Sequence, residues 1–191
     1  MANRISALQG HIALGQHGDK AGNGVSLTVL ENLSLHQVAA WPETMQQVGQ
    51  LAANSMGHQS APLPRTAKGN SQSAILRVET LKWWLIGTQE IELTSELGAC
   101  LDMSHSRSRI RISGSDSVAL LNRLMPLDLR EHSFAKGSVA STAIHHVGIT
   151  LWRNERGYEL FIPRSFALSV WEVIFKSALQ FGVDVRQQSI A

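Results

Sequence analysis

Apolar residues recur along this chain in two rhythms, and the switches between them mark its elements. Leu35–Trp41 (LHQVAAW) is a short apolar run of strand length. Pro42 follows, where a first helical turn accepts proline because the missing N–H has no partner there anyway. Met45, Val48, Ala52 and Met56 then repeat at helical spacing, and Gly57 can end the helix in a left-handed conformation. Residues 57–73 read as a long loop. Two strands are expected next, Ala74–Glu79 and Lys82–Ile86, with a tight turn at Thr80–Leu81. A short helix over Thr88–Leu97 and a strand over Ala99–Ser104 complete the first half.

The second half repeats the order. In Arg107–Ile112, Ser108, Ile110 and Ile112 alternate with Arg107, Arg109 and Arg111, the period of a strand. Ser115 is a candidate N-cap, and Asp116 complements the positive helix end. Val118, Leu121 and Met125 form an apolar stripe stopped by Pro126. Strands are expected near Ala143–Trp152 and Tyr158–Pro163, joined by a turn at Arg153–Gly157. A helix from Ser165 to Phe181 follows. Phe166, Val170, Ile174 and Ala178 line its apolar face, and Ser169, Glu172, Lys176 and Gln180 its polar face. Gly182 ends it before a last strand at Val183–Val185.

Both halves read strand–helix–strand–strand–helix–strand, the split-βαβ or ferredoxin-like order. The expected fold class is α+β, with antiparallel sheets backed by helices. The expected organisation is a single domain, 1–191, made of two pseudo-repeats at roughly 25–104 and 107–186.

Composition narrows the chemistry. Hydrophobic residues make up 43% of the 191 positions and charged ones 17%, enough to build a core without staples. A single cysteine, Cys100, leaves no disulfide framework and no cysteine-based zinc site within the chain. It lies at a strand start, where a packed thiol is the ordinary reading. A net charge of +2 without a lysine-rich block argues against nucleic-acid binding. No stretch approaches the ~18 apolar residues of a membrane helix, and the first residues do not resemble a signal peptide. The expectation is a cytoplasmic protein that engages neither membrane nor nucleic acid.

Reaction motifs are missing. Gly22-Asn23-Gly24 lacks the third glycine of a dinucleotide fingerprint, and no P-loop, GxSxG or HExxH occurs. His145-His146 would face opposite sides of a strand and could not easily share a metal. No catalytic, cofactor-binding or metal residue is assigned.

Two features suit binding to a partner chain. Arg107, Arg109 and Arg111 project from one strand face, either as a solvated row or as a dock for a carboxylate-rich surface. Trp83 and Trp84 are adjacent on a strand, so they face opposite ways. Packing on both faces of the sheet explains them, as does cover by a partner.

Several segments carry a family resemblance. Leu124-Met125-Pro126-Leu127-Asp128-Leu129, then Phe134 and Gly137, SVASTAIHHVGITLWR at 138–153, Tyr158–Phe161 and PRSFALSVWEVIFKSALQFG at 163–182 resemble the gamma subunit of heterotetrameric sarcosine oxidases. The most specific piece is Pro163-Arg164-Ser165-Phe166-Ala167 leading into Trp171. Shorter matches lie at Ser6–Leu8, Val38–Thr44 and Leu76–Ile86. The small subunit of N-methylglutamate dehydrogenase is similar. The 101–124 segment, with Asp102-Met103-Ser104-His105, also resembles the folate-binding aminomethyltransferase fold.

The resemblance implies a non-catalytic small subunit with a structural role. It implies larger partner subunits that hold FAD, FMN, NAD and tetrahydrofolate, in a complex that oxidatively demethylates sarcosine. Two departures argue against independent chemistry. Aminomethyltransferases carry an acidic residue shortly after the glycine that matches Gly148, where this chain has Ile149-Thr150-Leu151-Trp152. Related folate-binding repair proteins have a cysteine where Ser138 follows Lys136-Gly137. The competing readings are a stand-alone folate-binding or aminomethyltransferase-like protein, and an anion or nucleic-acid module built on the arginine row.

Overall fold

The computed structural model describes residues 5–18, 24–87 and 91–189. In chain order the elements are β1 (Gly15–His17), β2 (Val25–Glu31), β3 (Leu35–Ala40), α1 (Met45–Ser55), β4 (Ala67–Gly69), β5 (Ala74–Glu79), β6 (Lys82–Ile86) and β7 (Gly98–Asp102). They continue with β8 (Arg107–Ser113), α2 (Ser117–Leu124), β9 (Val139–Ile144), β10 (Val147–Asn154), β11 (Gly157–Pro163), α3 (Ala167–Ala178) and β12 (Val183–Ser189).

The strands form two sheets. One has seven strands in the order β1-β12-β2-β8-β11-β10-β9, and the other has five in the order β4-β5-β6-β3-β7. All pairings are antiparallel except β12 with β2. The expected α+β class with helix-backed antiparallel sheets is therefore what the chain adopts.

Alternation along the strands sorts the side chains into layers. Val25, Leu27, Val29, Ile110, Ile112, Leu160 and Ile162 point from the seven-stranded sheet to the helices. There they meet Leu120 and Leu121 of α2 and Val170, Trp171 and Ile174 of α3. The opposite face of this sheet gives Trp152, Phe161 and Val139 to a second cluster, with Leu35, Leu76, Trp84 and Ile86 of the five-stranded sheet. The far face of the five-stranded sheet packs Val38, Ile75, Trp83 and Leu85 under Val48 and Ala52 of α1. The order is helices, sheet, sheet, helix.

Three of the four expected helices form. Pro42–Thr44 is a 3-10 turn leading into α1, and Gly57 ends that helix at φ 73°. Gly182, at φ 69°, closes the 3-10 turn after α3. Val170, Ile174 and Ala178 are buried as expected, but Phe166 is exposed because it lies in the 3-10 turn before the helix. The N-cap of α2 is Asp116 and not Ser115, and it makes no side-chain capping bond.

Four other expectations change. No helix forms over 91–97, which is coil and turn; Thr88–Glu90 lie outside the described residues. Ala143–Trp152 is not one strand. β9 and β10 meet in a two-residue turn at His145-His146, with Ile144 opposite Val147 and His145 at φ 53°. Residues 57–73 are not all loop, since β4 pairs with β5 and Thr66 bridges to Ser138. β2, not anticipated as a strand, sits between β12 and β8, the place where a plain split-βαβ unit would pair its last strand with its first. The N-terminal half thus lends two strands, β1 and β2, to the sheet of the C-terminal half.

No helix of the described residues is long and apolar enough to cross a membrane. Trp152 fills the space between the sheets at 1% exposure. Trp152→Ala is expected to cost about 3–5 kcal/mol in a urea melt, while Leu63→Ala, at a position 73% exposed, stays within about 0.5 kcal/mol.

Candidate functional site

The arginine row turns inward. β8 lies between β2 and β11, and the five-stranded sheet covers its charged face. Arg109 is 1% exposed and Arg111 7%. Both converge on Glu159 of β11, which is 0% exposed. The register explains the convergence. Glu159 stands opposite Arg111, and Arg109 is two residues further along the same face, opposite Phe161. Arg111 donates through Nε and Nη2 to Glu159 Oε1, at 3.1 and 3.0 Å, while Arg109 Nε and Nη2 contact Oε2. Asn154 Nδ2 donates to Oε1 at 2.8 Å.

The cluster is closed from the side. Arg109 Nη2 donates to the Ser71 carbonyl at 2.7 Å, and the Ser71 N–H donates to Glu155 Oε1 at 3.1 Å. Burial alone would raise the Glu155 carboxyl, but backbone and side-chain hydrogen bonds outweigh it and the group lies below its ordinary value. Arg109 also lies above the rings of Trp152 and Phe161, at 5.9 and 5.4 Å from their centroids. Burial pushes its guanidinium down and the contact with Glu159 opposes that shift. Its Nη1 finds no hydrogen-bond partner among the described residues.

Arg109 and Arg111 are therefore not a surface for a partner's carboxylates. The acid they need is within the chain, and an uncompensated guanidinium in that space would be costly. Arg107 differs. It is half-buried, stacks 5.6 Å above the Trp84 ring and donates Nη1 to the Ser106 carbonyl at 3.1 Å.

The tryptophan pair is covered within the chain on both sides. Trp83 is 1% exposed beneath α1, and Trp84 is 4% exposed against Phe161 of the opposing sheet. Packing on both faces accounts for them. Cys100 is half-buried on the edge strand β7, packed against the α1 cluster. His145 and His146 are exposed in their turn. Ser138 is held through its backbone: its N–H donates to the Ala135 carbonyl at 3.0 Å and its carbonyl accepts from the Arg153 N–H at 2.9 Å. Thr150 and Trp152, which follow Gly148 where aminomethyltransferases carry an acid, face the other sheet, and Trp152 occupies that space with its ring.

The residue that sequence reasoning missed is Glu159. A lone acid in the apolar run Tyr158–Phe161, on the strand face opposite Tyr158 and Leu160, was the available signal.

Removing Glu159 leaves two buried cations. Glu159→Ala is expected to destabilise the chain by about 3–5 kcal/mol, while replacing Arg109, Arg111 and Glu159 together by Met or Leu lies near neutral or is stabilising. Chemical denaturation of the single and triple variants measures both. Equal losses would mean the charges are solvated and the buried network is not what holds this region.

Comparison with known proteins agrees with this fold. No family model matches the chain. An aminomethyltransferase from Koribacter versatilis is 29% identical over 112 residues, 56% of this chain and 28% of that protein. Sarcosine oxidase gamma subunits from Corynebacterium sp. U-96 and an Arthrobacter species are 27% and 28% identical over 81 and 82 residues, each match spanning 40% of the relative. Among solved structures, heterotetrameric sarcosine oxidase from Corynebacterium sp. U-96 superposes with a TM-score of 0.71 at 21% identity, over 83% of this chain and 86% of that one. Aminomethyltransferase T of the glycine cleavage system from Bartonella henselae gives 0.60 at 11% identity, over 86% of this chain and 48% of that one. The chain is similar in sequence to sarcosine oxidase gamma subunits over 42–43% of its length, and it shares its fold with a chain of that oxidase and with aminomethyltransferase T.

Proposed function

We propose that this chain is the small, non-catalytic gamma-type subunit of a sarcosine oxidase-type flavoprotein complex. Its role is structural, in assembly. The larger subunits hold FAD, FMN, NAD and the folate site, and the complex demethylates sarcosine with tetrahydrofolate as one-carbon acceptor. The observation that carries this reading is the near end-to-end superposition on a chain of heterotetrameric sarcosine oxidase. The matched stretches of the curated relatives span well under half of each, so activity, substrate and partners rest on this proposal.

The packing between the sheets supports a non-catalytic role. Trp84, Trp152 and Phe161 meet there, beside the Arg109–Glu159–Arg111 cluster. The residues after Gly148, Ile149-Thr150-Leu151-Trp152, offer no carboxylate for amine chemistry. The aminomethyltransferase match favours the second reading, a stand-alone folate-binding protein, and the small subunit of N-methylglutamate dehydrogenase is a variant of the first.

Co-purification from the native host separates them. The expected outcome is recovery of larger flavin-bearing chains with this one, and a colourless chain without a flavin spectrum when it is expressed alone. A chain that stays solitary under gentle lysis, and binds tetrahydrofolate in calorimetry, would decide for the stand-alone protein.

A further inference from the structure

A cleft of about 280 Å³ lies at the end of β2 and the start of β8. Its polar wall holds Glu31, Asn32, Ser104, His105, Arg107 and Arg164. We propose that this cleft binds a small organic monocarboxylate, held by Arg107 and Arg164. The proposal concerns the chain by itself and does not rest on its membership of a complex.

The two arginines are neighbours by register. Arg107 stands opposite Pro163, and the Arg164 N–H donates to the Ser106 carbonyl at 3.0 Å. Each head is held by one bond to a backbone carbonyl: Arg107 Nη1 on Ser106, and Arg164 Nη2 on Ile5 at 2.7 Å. The Trp84 ring supports Arg107 from below. Their orientation is thus fixed before any ligand arrives, which lowers the entropy lost on binding.

Among the described residues, no ion pair neutralises either charge. Arg109, Arg111, Arg153 and Arg186 each pair with an acid, but among the described residues neither Arg107 nor Arg164 does. Like charges on adjacent positions repel, and partial burial of Arg107 weakens the water that would screen them. A guanidinium fork matches a carboxylate in plane and spacing.

Charge and size select the ligand class. Two guanidiniums and the Glu31 carboxylate leave one positive charge on the wall, the complement of a monoanion. A dianionic phosphate would face Glu31 with excess charge. Ile5, Ala7 and Leu33 also line the cleft and give an organic body an apolar surface. The volume lies just below the usual range for drug-sized ligands, about 300–1,000 Å³, so the ligand is small.

The test is a titration of the full chain with sodium propionate, followed by NMR of the arginine Nε–H groups. Sodium chloride at matched ionic strength and sodium phosphate form the control arms. Saturable shifts of Arg107 and Arg164 with propionate are expected. Arg107→Gln and Arg164→Gln are each expected to weaken that binding about ten-fold, the loss of one charged hydrogen bond. Backbone amide spectra check that each variant is folded. Arg164 is exposed, so its variant carries the test if Arg107→Gln unfolds. No saturable shift, an equal response to chloride, or tighter binding of phosphate than of propionate overturns the proposal.

Discussion

One carboxylate governs how the two sheets meet. Glu159 lies at 0% exposure with two guanidiniums on it, beside the apolar cluster that the two sheets share. Such a cluster is expensive to bury, and hydrophobic residues of the same volume would serve stability as well or better. What the cluster constrains is register. A slip of β8 by one residue against β11 would turn Arg109 and Arg111 toward the helices, away from Glu159, and Ile110 and Ile112 toward the other sheet. Both layers would then be wrong at once. The charges therefore exclude the neighbouring registers more strongly than they stabilise this one.

That constraint propagates outward. With β8 and β11 fixed, Phe161 and Trp152 are set on the same face as Glu159, and they meet Trp84 of the five-stranded sheet. Ser71 then reaches Arg109 from the turn before β5, joining the five-stranded sheet to the cluster by a single backbone carbonyl. Packing and polar bonds meet in one layer, filled with rings and ion pairs.

Much of the fold was legible because its signals are local. The three helices show their spacing, and Gly57 and Gly182 mark their ends. The strand β2 was missed although Val25, Leu27 and Val29 alternate with Ser26 and Thr28, a usable period-two signal. Its place between β12 and β8 was not legible, since parallel pairing over so long a separation leaves no local mark. The break at His145-His146 was hidden by composition. Neither residue is a usual turn former, yet His145 takes a left-handed φ there. The similarity to sarcosine oxidase gamma subunits was readable from the C-terminal half because motifs such as Pro163–Ala167 combine a rigid turn with a helix start.

The candidate site was half legible, for a physical reason. A strand with alternating arginines has two meanings that the strand itself does not separate: a solvated row, or a buried row with its counter-charge elsewhere. The counter-charge here is fifty positions away along the chain, as the Arg109–Glu159 separation shows. Both oxygens of Glu159 are engaged, by Arg109, Arg111 and Asn154. The third member of the row is therefore left outside the arrangement. Arg107 lies half-buried at the strand end, and it rests on the Trp84 ring of the five-stranded sheet instead of on an acid. The same geometry that makes Arg109 and Arg111 structural makes Arg107 the member of the row with charge to offer. Beside it, Arg164 repeats that condition on the next strand's end. A row that looked uniform in sequence divides by burial into two residues that hold the fold and one that faces a cleft.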